Sequence, residues 1–374
     1  MINIFTFPFC WGIMRQHEDR GINAVDHPFI HDIKFNCDIS DAKYWGFFSV
    51  CGLLMRYRDL YRSEKGLKPW VEISRKDIAE WIAKKESRWP ELEQEDFRDL
   101  AIGGKKYHPF DISEINHMLS GQGLVYGAGY GMYMKPTFFL AELRTTREIS
   151  GLTVYTSGKE YVRDLFTSAG MFQERSIFLR LEPLTMLLMY KFSELNARRV
   201  SALEDAFSHY GFRHRQIIDD ILGKRLEGMA ERYADVLLCH EVAEAKEDAP
   251  EWHDILSSLD GDRKAEHYLR AIKDLIADTS EHGPYKKIID TRDRGALSLS
   301  IALMEGFRRV LYPEMKHAHE EFLGSENWDL IEEARKAGYA RFLSQRDMVV
   351  GLYRASAGRE NFILQLKDII QAAA

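Results

Sequence analysis

A long helix predicted in the second half of this 374-residue chain carries the side chains best suited to chemistry. Its apolar stripe runs from Leu226 to Leu237 and continues, at about 100° per residue, onto His240, Glu241 and Glu244. His240 and Glu244 lie four residues apart, so both can point at one spot, as two metal ligands on one helical turn do. Ionisable groups rarely occupy a buried stripe unless they are paired or hold a metal. This turn therefore predicts a divalent metal site, with zinc, manganese or iron as the candidate ions.

In this interpretation His240 and Glu244 are ligands, and Glu241 is a second carboxylate ligand or the base that takes a proton from an activated water. The remaining ligand is expected from one of four side chains: His214, Glu266, Asp278 or His319. The alternative is that the helix leaves the core after Leu238. The run HEVAEAKED would then be a solvated, acidic helix end.

The run HEVAE resembles the H-E-x-x-H helix of zinc peptidases, with Glu244 in place of the second His. Glu266 follows at a spacing similar to that of the carboxylate ligand in gluzincins. The longer run ADVLLCHEVAEA resembles the central helix of the HD-type phosphohydrolases, which are all-helical, with Glu241 where Asp is expected. That resemblance implies His214 as the upstream ligand and Asp278 as the downstream one. Both resemblances imply a metal-dependent hydrolase, and the helical context favours the HD-like one.

Two other patterns have plainer interpretations. The pairs Glu314–His317 and Glu114–His117 match the E-x-x-H unit of di-iron bundles, but such a site needs four carboxylates and two His from four helices. The run GQGLVYGAGYG lacks the spacing of a dinucleotide fingerprint and is followed by a strand-like segment. It predicts a β-hairpin whose turn uses the positive φ of glycine, and no nucleotide cofactor is expected.

The N-terminal elements have the order helix, short strand, helix, helix, hairpin. A helix is predicted over residues 41–64 with Asp41 as its N-cap, and Ser74 is predicted to cap the next helix after a strand at 69–74. Residues 113–120 predict a third helix, and the hairpin follows. Over residues 41–140 this order resembles a winged helix.

The chain from about residue 150 onward is predicted to be helical throughout. The predicted helices cover 158–169, 173–198, 201–210, 213–247, 263–278, 293–322, 327–344 and 346–372. The fold class is therefore mainly α, with a winged-helix-like α/β module followed by an all-α helical bundle. The predicted domains are an N-terminal arm (1–40), the winged-helix-like module (41–150) and the helical domain (151–374).

Composition restricts the partners. The net charge is -7, and residues 1–150 hold 20 basic and 21 acidic side chains. The third helix of the winged-helix-like module has no Lys or Arg, so nucleic acid is not expected as a partner. Four cysteines without a CxxC pattern and the absence of a secretory signal or membrane span favour a cytoplasmic protein. Two functions follow: a metal-dependent hydrolase of a small-molecule substrate, or a non-catalytic helical protein that binds a protein partner.

Overall fold

The structure is a computed structural model that describes residues 28–197, 200–259, 261–356 and 358–373. Within these residues the chain forms sixteen α-helices and seven β-strands. A five-stranded sheet with five helices makes up the N-terminal part, and the chain is helical from Leu181 onward. The mainly helical fold class and the helical C-terminal region are thus confirmed. The predicted arm lies outside the described residues over 1–27, and residues 28–40 belong to the first helix.

The N-terminal helices differ in two places from the prediction. Their bounds are α1 Pro28–Tyr44, α2 Val50–Glu64, α3 Arg75–Glu86, α4 Trp89–Leu92 and α5 Ile112–Leu119. The single helix predicted over 41–64 is wrong because a short 3-10 turn at Trp45–Phe47 divides it. Asp41 lies inside α1 and accepts the backbone N–H of Leu165, so it is not an N-cap. Ser74 caps α3, as predicted, by accepting the N–H of Asp77.

The sheet contains strands β3 Leu124–Tyr130, β4 Pro136–Ile149, β5 Leu152–Arg163, β6 Gly170–Gln173 and β7 Ser176–Arg180. Their order is β3-β4-β5-β7-β6, and all neighbours are antiparallel except β5 and β7. The sheet curls, since Tyr130 N at one edge donates to Gln173 Oε1 at the other, over 3.4 Å. A separate small hairpin joins β1 Leu100–Ile102 to β2 Lys105–Tyr107. Residues 69–74, predicted as a strand, pair with no strand among the described residues.

Of the glycines predicted to serve the hairpin turn, Gly131 begins the turn with a negative φ, and Gly127 and Gly129 lie within strand β3. They are needed for close packing: a Cβ on Gly127 would lie 2.0 Å from the Phe139 ring, and one on Gly129 would lie 2.2 Å from the Gln173 side chain. The turn itself uses Tyr133 and Met134, which have positive φ. The hairpin is therefore confirmed, but the predicted role of its glycines is wrong.

The helix predicted over 158–169 is also wrong, because residues 158–163 continue strand β5 and residues 164–169 form a loop. A turn at Ser150 and Gly151 folds β5 back onto β4, and β7 pairs with its other side. Hydrogen bonds to two neighbouring strands outweigh a local helix preference. Strands β4 and β5 lie on either side of residue 150, where the winged-helix-like module is predicted to end. The sheet continues past that residue to Arg180. The winged-helix identity of the N-terminal module stays a prediction.

The C-terminal part consists of eleven helices among the described residues. They are α6 Leu181–Ala197, α7 Ser201–His209, α8 Asp220–Lys246, α9 Pro250–Ser257, α10 Arg263–Thr279, α11 Pro284–Thr291, α12 Arg294–Ala302, α13 Gly306–Leu311, α14 Pro313–Ser325, α15 Trp328–Ala355 and α16 Arg359–Ala373. Their apolar faces form one large core. The predicted helix 293–322 is three helices, because Pro313 and the turn before Gly306 interrupt it. None of the described helices has both the length and the apolar character needed to cross a bilayer.

A separate apolar cluster joins the sheet to helix α8. Val154, Ile177 and Leu179 on strands β5 and β7 pack against Ala234, Leu238 and Val242 on the helix. The three helical residues are spaced by four, so they occupy one face of α8. That contact sets how α8 is rotated and which of its faces turns towards the other helices.

Candidate functional site

Helix α8 turns the predicted site towards helix α10. Asp219 begins α8 by accepting the N–H of Leu222. Because one face of the helix contacts the sheet, His240 and Glu244 face away from it, towards the acidic residues of α10. Glu241 is buried, and His240 and Glu244 are half-buried. The alternative of a solvated helix end after Leu238 is therefore wrong.

Helix α10 supplies two acids, Asp274 and Asp278, that are spaced by one helical turn. His240 Nδ1 lies 2.8 Å from Asp278 Oδ1, so the histidine pairs with a carboxylate on its δ side. Its other ring nitrogen, Nε2, lies 3.7 Å from Glu244 Oε2. One donor atom each of His240, Glu244 and Asp274 falls within a group whose members lie no more than 4.8 Å apart. This is the spacing in which three protein ligands can share one cation.

Two cations hold the outer oxygens of these acids. Lys273 Nζ donates to Glu244 Oε1 at 2.7 Å. An Arg308 terminal nitrogen, on helix α13, donates to Asp278 Oδ2 at 2.7 Å, and the other lies 3.9 Å from Asp274 Oδ2. Both pairs are partly shielded from water, so they hold the carboxylates in place more firmly than surface pairs would.

The pKa values of the ionisable groups in the cluster are strongly shifted. Burial by itself would lower the pKa of His240, but Asp278 outweighs burial and raises it to about 10. Burial and the neighbouring Glu244 raise the pKa of Glu241 to about 8. Burial also raises the pKa of Asp274. The pKa values of Glu244 and Asp278 are lowered, because in each case a nearby cation (Lys273 and Arg308) outweighs the effect of burial. Groups with such shifts gather at functional sites more often than elsewhere.

Glu241 approaches the sheet at Gly170, the first residue of strand β6. A Cβ on Gly170 would lie 2.3 Å from Glu241 Oε1, so only glycine leaves room for the carboxylate. No hydrogen bond ties the Glu241 carboxylate to the rest of the described chain. It is thus a buried acid whose oxygens have no hydrogen-bond partner among the described residues.

The cluster lies in the wall of a cavity of about 930 Å³. Residues 130–134 and 166–174 of the N-terminal part form one side, and helices α6 and α8–α13 contribute the other. His240, Glu241, Glu244, Asp274 and Asp278 all line it. A cavity of this size holds a small molecule, and sites at domain boundaries are common places for ligands.

The other predicted ligands lie elsewhere. Glu266 is on α10 but accepts the N–H of Tyr133 and a bond from Arg270 Nε, both at 2.7 Å, and it does not line the cavity. His319 is buried against Ser298, with its Nε2 at 2.8 Å from the hydroxyl. His214 is in the loop before α8 and also lies outside the cavity wall. Of the four additional candidates, the structure brings only Asp278 next to His240.

The two E-x-x-H pairs are far from this cluster. Glu314 pairs with Arg341, His317 is exposed, and Glu114 and His117 are both exposed on α5. Three site residues were missed by sequence reasoning: Asp274, Lys273 and Arg308. The one available signal was the D-x-x-x-D spacing of Asp274 and Asp278 on an amphipathic helix, which repeats the spacing of His240 and Glu244.

Comparisons with known proteins identify the family to which the chain belongs. No curated protein matches the chain, and no solved structure matches it. Residues 28–180 match the model described as "Family of unknown function (DUF6866) N-terminal domain", and residues 185–370 match the corresponding C-terminal domain. The boundary between the two matches falls where the sheet ends and helix α6 begins. The two matches together cover most of the chain, which thus belongs to this family of unknown function (DUF6866).

Proposed function

We propose that this protein is a metal-dependent hydrolase whose site lies in the cavity between the sheet and the helical part. The observation that carries the proposal is the environment of His240. Its Nδ1 pairs with Asp278, which leaves Nε2 available beside Glu244 and Asp274. Metal-ligating histidines in proteins usually donate their other N–H to a carboxylate in this way.

The chemistry of the donor set fits a divalent cation. His240 Nε2 and one oxygen each of Glu244 and Asp274 would hold the ion, and one imidazole with two carboxylates suits Zn²⁺, Mn²⁺ or Fe²⁺. Such an ion supplies Lewis-acid activation of a water or of a substrate oxygen. Three ligands from two helices would leave coordination positions open for substrate on the cavity side.

The other residues of the site position the ligands or transfer protons. Asp278 accepts the Nδ1–H bond of His240 and sets its tautomer, and Arg308 holds Asp278 in turn. Lys273 orients Glu244 through its outer oxygen. Glu241, whose oxygens are free and face the cavity, is assigned the proton transfer. In hydrolysis a water oxygen bonds to the electrophilic centre of the substrate, the bond to the leaving group breaks, and the leaving group departs with a proton from the water.

The test is elemental analysis of metal in the purified protein and in the double variant His240→Ala/Glu244→Ala. Near-stoichiometric metal is expected in the wild type and none in the variant. The matched control is His317→Ala/Glu321→Ala, which removes the same residue types at the same spacing from an exposed helix face. Circular dichroism checks that each variant folds. The proposal fails if the wild type stays metal-free after incubation with zinc, iron and manganese.

A second candidate function is a non-catalytic protein that binds a protein partner through its winged-helix-like module. The observation that favours it is an exposed apolar surface on the first turns of α2, at Val50, Leu54 and Met55. In that case the charged cluster would only hold helices α8, α10 and α13 together. A metal-free wild type, together with a partner captured by the intact chain and lost on Leu54→Glu, would favour this function.

A further inference from the structure

The cavity also carries information about the substrate, and this inference rests on the proposed function. Its four Lys and Arg side chains are the groups that would bind an anionic substrate. Each has an acidic partner: Lys191 pairs with Glu305, Arg270 with Glu266, Lys273 with Glu244 and Arg308 with Asp278. No lysine or arginine in the described part of the wall is therefore free to bind a phosphate or a carboxylate.

The acidic character of the cavity wall also disfavours an anionic substrate. Seven acidic side chains line the cavity among the described residues, against those four Lys and Arg. Asp278 is buried and Glu244 is half-buried, so their fields act in a region of low dielectric where charges interact strongly. An anionic ligand would lose its hydration in this cavity and find no unpaired lysine or arginine in the described wall to replace it.

The rest of the wall is largely apolar. Aromatic and aliphatic side chains form the largest class of lining residues, among them Phe166, Phe172, Leu256 and Phe307. Tyr130 and Leu187 line the cavity and are also exposed, so they form an apolar rim where it meets solvent. Burial of apolar ligand surface against such a wall favours binding.

We infer that the substrate is a small, largely apolar molecule without negative charge, and that the bond cleaved is an ester or an amide. The water oxygen bonds to the carbonyl carbon, the C–O or C–N bond breaks, and the alcohol or amine leaves with one proton. The acid product then loses its remaining proton to Glu241 or to solvent. A carboxylate product is repelled by the acidic wall, which favours its release.

The binding test uses four probes that share one apolar body and differ in the head group: 4-phenylbutylamine, 4-phenylbutanol, 4-phenylbutanoate and 4-phenylbutyl phosphate. Calorimetry on the full chain, dialysed against a chelator, measures each Kd. The amine and the alcohol are expected to bind at least about tenfold more tightly than the two anions. Leu187→Glu, at the rim, should weaken binding of the alcohol. Leu364→Glu, at a more exposed leucine outside the cavity wall, should not. Tighter binding of either anion overturns the inference.

The activity test uses the chain loaded with Zn²⁺, Mn²⁺ or Fe²⁺. Hydrolysis of 4-nitrophenyl butyrate or of the matching anilide is expected to exceed hydrolysis of 4-nitrophenyl phosphate. Faster phosphate hydrolysis would overturn the substrate class and leave the metal-dependent hydrolase standing. If no metal binds but the head-group order holds, the hydrolase proposal fails, and the cavity is a binding site for uncharged or cationic apolar molecules.

Discussion

Replacement of Asp278 by Asn separates the role of this residue in positioning His240 from the role of the ligands themselves. Asp278 joins His240 Nδ1 at 2.8 Å to Arg308 at 2.7 Å, and Asn has nearly the same shape without the charge. Loss of such a partner typically weakens metal binding by about 10- to 100-fold, which is about 1.4–2.8 kcal/mol. Arg308 keeps Asp274 as a neighbour at 3.9 Å, so the variant is expected to fold.

The assay is competition for Zn²⁺ with a chromogenic chelator, with circular dichroism as the check on folding. Asp274→Asn, which removes a proposed ligand, should weaken binding more than Asp278→Asn does. Asp290→Asn is the control, because that carboxylate pairs with Lys286 on the protein surface. Wild-type affinity in Asp278→Asn would refute the reasoning, since it would mean that His240 needs no carboxylate on its δ side to bind the ion.

Three further predictions concern the site and its support. Gly170→Ala should displace Glu241 and lower hydrolysis by up to about 100-fold with unchanged metal content, whereas Gly228→Ala, with open space around it, should match the wild type. Lys135→Met should lower the free energy of unfolding by about 3–5 kcal/mol in urea titrations, because it leaves two buried carboxylates without their cation. A loss below about 1 kcal/mol, which is the value of a surface pair, would contradict this. Burial raises the pKa of one of those acids, Asp41, to about 7, so unfolding releases its proton between about pH 4 and 7. Stability should therefore fall as pH rises through that range, and Asp41→Asn should flatten the profile.

Some of the fold follows from local pattern. Ser74 is followed by an amphipathic run, and it caps α3 as that pattern predicts. The apolar stripe of α8 is long enough to specify a helix and to place His240, Glu241 and Glu244 on the face that continues it. Strand β5 shows the limit of local pattern, because its residues are acceptable in a helix and become a strand only when β4 and β7 pair with them.

The same limit applies to the ligands. Glu266 and His319 have the right residue types, but each is engaged elsewhere, with Tyr133 in one case and Ser298 in the other. Asp274 joins the site because α10 packs beside α8, a contact between residues 30 or more positions apart. No local spacing encodes such a contact, since it depends on how the apolar faces of two helices pack.

Local sequence pattern is enough to predict the helical character of the C-terminal part and the one turn of α8 that carries a histidine and two glutamates. Both follow from apolar residues that recur with the 3.6-residue period of an α-helix. Long-range packing, in contrast, places Asp274, Asp278 and Arg308 around that turn and the sheet along one side of the cavity. The physical reason is that packing of α8 against strands β5 and β7 fixes the rotation of the helix, and a helix has no preferred rotation until another element covers one of its faces.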